Sequence, residues 1–198
     1  MEKHHIELLR KTLLEKADIL DGDFEKIRTA FRPRFIKKKK DLLRVGEVCK
    51  FHAFVVKGFM RSFSVDHKGA DHVIQIAYEG HWVGDLYSIF TGKPSNLCIE
   101  AVEDTLVLMI ESKRLEELYL EVPILERYFR KTLLSAYVNT LQRLNSTLSE
   151  PAEARYLKLI EDQPGLLRRA PLSHIASYLG ITPESLSRIR KHLHANKL

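Results

Sequence analysis

Ala170-Pro171-Leu172-Ser173-His174-Ile175-Ala176-Ser177-Tyr178-Leu179-Gly180-Ile181-Thr182-Pro183-Glu184-Ser185-Leu186-Ser187-Arg188-Ile189-Arg190-Lys191-His192-Leu193 reads as a short helix, a tight turn and a second helix. Ile175, Ala176 and Leu179 sit at helical spacing and give the first helix one apolar face. Gly180 supplies the positive φ that a sharp turn requires. Thr182 offers a hydroxyl N-cap, Pro183 suits the first helical position, and Glu184 suits the positive pole of the helix dipole. Leu186, Ile189 and Leu193 form the buried stripe of the second helix; Ser185, Ser187, Arg188, Arg190, Lys191 and His192 fall outside it. This pattern predicts a helix-turn-helix whose second helix enters the major groove of DNA. A pair of core helices with a solvated basic face fits the same spacing.

Charge favours the first of these. The 198 residues carry 32 Lys+Arg against 26 Asp+Glu, a formal charge of +6, and the C-terminal quarter is itself net basic. Such a balance suits phosphate contact and is silent on sequence choice. At 44% hydrophobic residues the chain can bury a substantial core as one large domain or two small ones. No apolar run approaches the ~20 residues of a membrane span, and Met1-Glu2-Lys3-His4-His5 is not a signal-peptide core, so a cytoplasmic protein with no membrane partner is expected. Cys49 and Cys98, only two and far apart, exclude a disulfide framework and a cysteine-ligated cluster; both are expected as buried thiols.

Upstream of this stretch the hydrophobic period changes twice. Residues 2–31 carry helical stripes (Ile6, Leu9, Leu13, Leu14, then Phe24, Ile27, Phe31), with Asp21-Gly22-Asp23 as the expected break. From Phe35 to about Ile110 short β-branched or aromatic runs stand between glycine turns: Phe54–Val56, Phe59–Val65, Val73–Tyr78 and Leu106–Ile110. Many short strands with glycine punctuation predict a barrel or jelly roll. Lys37 to Lys40 is a basic run, expected as solvated protection on an exposed strand. After Ile110 helices return: Ser112 is the expected cap of a helix over 113–120, and Pro123 opens a long helix to about Leu148. Within it Leu134, Tyr137, Leu141, Leu144 and Leu148 step by three and four, as a coiled-coil seam does. Packing against its own barrel is the alternative. Ser149-Glu150-Pro151 is the hinge, followed by a helix over 152–160.

In this order the chain resembles the Crp/Fnr family of bacterial transcription regulators. The resemblance rests on Phe54-Val55-Val56-Lys57-Gly58-Phe59-Met60-Arg61, on Trp82-Val83-Gly84-Asp85-Leu86 with Pro94-Ser95-Asn96 and Glu100 to Thr105, and on Ile175 to Arg188. It implies an α+β chain: an N-terminal β jelly roll flanked by helices (residues 1–122, a cyclic-nucleotide-binding-like sensor), a long dimerisation helix (123–149) and an all-α helix-turn-helix domain (150–198). It implies no enzyme. The partners it implies are double-stranded DNA with an inverted repeat and a second copy of the chain, with RNA polymerase and an unidentified small-molecule effector as further ones. The family's base-reading glutamate and arginine fall on Glu184 and Arg188, four residues apart on one helix face; glutamate accepts from cytosine N4 and arginine bridges guanine O6 and N7. An arginine that some members place just before the glutamate is Pro183 here. The DNA-contact set is therefore Thr182, Pro183, Glu184, Ser185, Ser187, Arg188, Arg190 and Lys191, with Arg190 and Lys191 as phosphate anchors.

The resemblance places an effector pocket at Gly84, Asp85, Leu86, Ser95, Asn96 and Glu100. Where the family sets an arginine and a small hydroxyl residue, this chain has Ser95-Asn96, and no arginine occurs between Arg61 and Arg114. Lys93 cannot form the bidentate fork that a phosphate takes from arginine. No cofactor is therefore expected, and cyclic AMP is disfavoured as a ligand. Asp85 and Glu100 satisfied by the protein's own donors is the plainer expectation. The competing classes are a cupin-like metal enzyme, for which His67, His72, His81 and Glu79 are the available donors, and a small-molecule-binding module without DNA binding. The histidines lack the alternate spacing that points two rings into one barrel, and no metal site is expected.

Overall fold

The computed structural model describes residues 3–195; residues 1, 2 and 196–198, the outer ends of the two expected domains, lie outside the described residues. Two helices, α1 (Lys3–Leu14) and α2 (Asp21–Ala30), precede eight strands: β1 (Arg32–Ile36), β2 (Asp41–Leu43), β3 (Phe51–Lys57), β4 (Phe59–Val65), β5 (Asp71–Tyr78), β6 (Trp82–Val83), β7 (Cys98–Ala101) and β8 (Thr105–Glu111), with α3 (Leu86–Thr91) between β6 and β7. The strands form two four-stranded antiparallel sheets, ordered β1-β8-β3-β6 and β2-β7-β4-β5. Then follow α4 (Ser112–Glu121), α5 (Pro123–Ser149), α6 (Ala152–Asp162), α7 (Leu166–Arg169), α8 (Leu172–Tyr178) and α9 (Pro183–Ala195). The architecture is α+β, with a jelly-roll-like barrel, one long helix and a helical C-terminal region.

Strand alternation sorts the side chains into three cores. Ala53, Val55, Met60, Ile99, Ala101 and Val107 fill the space between the sheets. Phe54, Val56, Leu108 and Ile110, one residue out of phase, face outward and are covered by α1, α2, α4 and the start of α5. Phe59, Phe63, Val73 and Ile76 on the outer face of the second sheet are covered by Tyr156, Leu159, Leu166, Ile175 and Leu179 of the C-terminal helices. Each large apolar side chain so enclosed contributes roughly 1.5–3 kcal/mol. The joint between β3 and β4 admits only glycine: Gly58 stands at φ +112°, and a Cβ there would lie 2.4 Å from Thr105 Oγ1 and 2.6 Å from its Cα.

Several sequence expectations are corrected here. Asp21-Gly22-Asp23 does not break a helix but begins α2, where Asp21 and Asp23 complement the positive pole; the break is the segment after Leu14. Ser112 is not a cap: it is the first residue of α4, and its side-chain oxygen is enclosed without a hydrogen-bond partner, while its backbone N–H donates to Lys50 O. Lys37–Lys40 is not strand but the turn between β1 and β2. Edge protection falls to β1 itself, an edge strand carrying Arg32, Pro33 and Arg34. Cys49 is buried, but Cys98 is only half-buried beside Asp41, where burial and that carboxylate push its thiol up to about 12.

Candidate nucleic-acid interface and barrel pocket

The C-terminal turn has the geometry its residues require. Ile175 and Ala176 are buried in α8, Gly180 takes φ +70°, and Ile181 N–H returns to Ala176 O at 3.0 Å. Thr182 caps α9, its Oγ1 accepting from Ser185 N–H at 3.2 Å. Leu186 is fully enclosed, with Ile189 and Leu193 packed beside it. The opposite face lies open: Thr182, Pro183, Glu184, Ser187, Arg188 and Lys191 are exposed, whereas Ser185 and Arg190 are half-buried. Ser185 Oγ accepts from Thr182 Oγ1 at 3.2 Å and from Arg188 Nη2 at 3.3 Å, so a chain of three side chains one turn apart braces the guanidinium. The Glu184 carboxyl is held below the usual carboxylate range by its own backbone N–H, by the Thr182 hydroxyl and by the Arg188 charge. α9 thus presents a carboxylate acceptor and a guanidinium donor on one exposed face.

What holds this unit to the barrel was not legible in the sequence. Arg169, at the end of α7, donates to Glu79 (2.8 and 3.0 Å), to Glu103 (2.6 Å) and to Gly58 O (2.9 Å). Burial opposes the charge on Glu79, but the Arg169 guanidinium and the Gly58 N–H outweigh it and keep that carboxyl low. Ser177 donates to Asp71 O and accepts from Val73 N–H, both at 2.8 Å, which satisfies the edge of β5. Arg143 of α5 reaches Ile74 O at 3.0 Å and lies over the Tyr178 ring. Arg155 donates to Glu150 O at 2.5 Å and to Leu179 O at 3.1 Å, joining the ends of α5 and α8. The only advance signal was the presence of arginines in segments with no other task.

The long helix divides in two. Leu125 and Tyr128 are buried against the barrel, where Trp82 Nε1 donates to Tyr128 Oη at 2.9 Å and the Trp82 ring lies 4.7 Å from that of Phe129. Beyond this anchor Leu134, Tyr137, Leu141, Leu144 and Leu148 are all exposed in the single chain, between 45% and 79%. Leu133 and Val138, which the seam pattern omitted, are exposed on the same side. Apolar packing on the barrel accounts for the first turns, and further along Arg143 reaches β5 without covering this stripe.

Of the six residues of the expected effector pocket, Asp85, Ser95 and Glu100 already have partners within the protein. Asp85 is buried and caps α3, accepting from Tyr87 N–H at 3.0 Å. Gly84 sits against β3, where a Cβ would lie 3.2 Å from Phe51 O. Ser95 is buried, its hydroxyl donating to Leu97 O and accepting from Leu97 N–H. Leu86 and Asn96 are exposed. Glu100 alternates with Ile99 and Ala101 of the interior, so it faces outward, and it pairs with Arg61 at 3.4 Å. Arg61, buried on β4, also lies 2.8 Å from Asp71 as an ion pair without aligned hydrogen bonding, and over the Phe63 ring. The barrel histidines do not converge either. His72 pairs with Asp66, and His81 packs on Tyr78 while Glu79 serves Arg169; among the described residues no group of three donors is placed to hold a metal.

Residues 33–121 match the model of the cyclic nucleotide-binding domain. Most of the chain also superposes on solved structures. The c-di-GMP-responsive global regulator CLP of Xanthomonas campestris matches at 16% identity over 89% of this chain and 93% of its own, with a TM-score of 0.73. FixK2 of Bradyrhizobium japonicum matches at 19% over 84% and 86%, with a TM-score of 0.70. The catabolite activator protein of Thermus thermophilus matches at 19% over 94% and 88%, with a TM-score of 0.59. The chain has the Crp/Fnr fold, with a cyclic nucleotide-binding domain at its centre. No curated protein matches the sequence. Among the described residues no helix is long and apolar enough to cross a membrane.

Proposed function

We propose that this protein is a homodimeric, sequence-specific DNA-binding transcription regulator, with residues 1–122 as sensor, 123–149 as dimer helix and 150–198 as DNA-binding domain. The observation that carries the reading is the open face of α9, with Glu184 and a braced Arg188 one turn apart. Arg188 reads guanine and Glu184 accepts from cytosine; Thr182, Pro183, Ser185 and Ser187 line the base-facing end; Lys191 anchors on phosphate. Arg190, half-buried with its Nε enclosed, has less reach and serves a phosphate beside the helix. Two copies joined along the exposed stripe of α5 carry their α9 helices to successive major grooves, ~34 Å apart, on an inverted repeat. RNA polymerase and a small-molecule effector are the further partners such a regulator engages. The barrel does not take cyclic AMP in the usual way, because Asp85, Ser95 and Glu100 are already satisfied within the protein.

The test is a pair of substitutions measured on cognate and random duplexes at one salt concentration. Arg188→Ala is expected to cost about 1–3 kcal/mol on the cognate site and to relax one base position, whereas Lys191→Ala weakens both duplexes alike and lowers the salt slope by about 1. Equal losses on both duplexes for both variants contradict the division of roles.

A further inference from the structure

The long helix α5, the helix α6 behind the hinge and the first helix of the helix-turn-helix, α8, border a cleft of about 260 Å³. Arg143 and Ser146 of α5, Arg155, Lys158 and Asp162 of α6 and Tyr178 of α8 stand on its walls. Three cations and one carboxylate thus line it, and the protein does not neutralise the excess. The half-buried Arg143 donates to Ile74 O at 3.0 Å and to Tyr178 O at 3.4 Å. The half-buried Arg155 donates to Glu150 O, to Leu179 O and, at 3.5 Å, to Thr147 O. Every one of these acceptors is a neutral carbonyl. The Glu150 carboxylate takes the Ser146 hydroxyl at 2.5 Å and no cation. Among the described residues no carboxylate pairs with Arg143, Arg155 or Lys158. Carbonyls orient a guanidinium without cancelling its charge, and Arg155 Nε is enclosed with no acceptor at all. Other arginines of the chain are treated differently: Arg61, Arg114 and Arg169 each meet two carboxylates.

The counter-charge such walls call for is an anion. Phosphate oxygens suit guanidinium and ammonium donors best, and the cleft is at the small end for ligand sites, which favours a compact molecule. The barrel residues expected to hold an effector offer the opposite charge, Asp85 and Glu100, with Arg61 already paired. We propose that the cleft between α5, α6 and α8 binds a compact phosphate-bearing metabolite, and that this molecule is the small-molecule effector. The second half of the proposal rests on the reading of α9 as the helix that reads DNA. Position supports it. α5 carries the proposed dimer seam, and α8 leads through Gly180 into α9. A ligand held by Arg143 on one side and by Arg155 and Lys158 on the other joins the dimer helix to the reading unit. It shifts DNA affinity by preferring one arrangement of α5 against α6 and α8 over another.

The probe is inorganic pyrophosphate, which presents phosphate oxygens without a base or a sugar. It is titrated calorimetrically into the full-length protein, with ionic strength held constant by sodium chloride. One site per chain is expected. Lys158→Glu, at an exposed side chain, and Arg143→Gln are each expected to weaken binding about tenfold or more, and Lys191→Gln on α9 to leave it unchanged. An unchanged melting temperature establishes that each variant is folded; if Arg143→Gln, which also gives up Ile74 O, melts early, Lys158→Glu decides alone. No binding of pyrophosphate, or an affinity that survives Lys158→Glu, overturns the site. An affinity lost equally in Lys191→Gln overturns it too, because it assigns the anion to the face of α9. DNA affinity is then read on the inverted-repeat duplex at the same ionic strength. Pyrophosphate is expected to change it about fivefold or more in the wild type and to lose that effect in Lys158→Glu. An equal effect in both proteins, or none in either, overturns the effector role and leaves the site. Wild-type protein that binds pyrophosphate through Lys158 but binds no duplex overturns the reading of α9 and, with it, the effector role, while the site stands.

Discussion

His174 sits half-buried on α8 beside Arg61 and Asp71, and burial first, then the Arg61 charge, lower its pKa from 6.5 to about 4. The folded chain therefore refuses a proton that the unfolded chain accepts. Stability is full above pH 6.5, is lost as pH falls from about 6.5 to about 4, and changes no further below that. Solvent screening of a half-exposed group reduces the effect to about 1 kcal/mol. His174→Gln is expected to remove that share of the acid sensitivity in urea unfolding at pH 7.5 and pH 4.5. An identical pH dependence in variant and wild type contradicts it. His52 and His81, also lowered by burial, and the Glu79 carboxyl held low by Arg169 act in the same direction and persist in the variant.

Among the described residues, α5 carries an apolar stripe that the chain itself leaves exposed. Its exposed stripe is wider than two heptads of a and d positions, since Leu133 and Val138 flank it. Leu141→Asp and Leu144→Asp place a charge in the proposed seam, and burying an unpaired charge there costs several kcal/mol. Each is expected to leave the monomer folded, because both side chains are exposed in the single chain, and to dissociate the dimer in sedimentation. A dimer that survives both changes sets the seam elsewhere. The strands and helices read from periodicity recur close to their expected places: β4 spans the residues expected, α5 ends one residue beyond the expected Leu148, and α9 begins at Pro183 after its Thr182 cap. Local rules suffice for these because cap, turn residue and apolar period agree. The pocket residues illustrate the limit of that legibility. Glu100 and Asp85 share a stretch of chain, yet strand alternation sends one outward to Arg61 and leaves the other to cap α3. The identity of a partner 39 residues away, such as Arg61 for Glu100, is fixed by strand register and not by spacing.

For the whole molecule, the second sheet has its outer face closed by the helices that carry α9, through Arg169, Ser177 and a shared apolar core. Barrel and α9 are thus one packed body in this conformation, and under the proposed function an effector acts on DNA binding only by favouring one arrangement of that packing over another. The claim on which the rest depends is that two such bodies read an inverted repeat. It is tested by selecting random duplexes on the purified full-length protein at a fixed salt concentration, with and without cyclic AMP. Enrichment of a palindrome with half-site centres about 10 base pairs apart, the same in both arms, is the predicted result. Enrichment of no sequence in either arm contradicts the DNA-reading role of α9, and a palindrome that appears only with cyclic AMP contradicts the reading of the barrel.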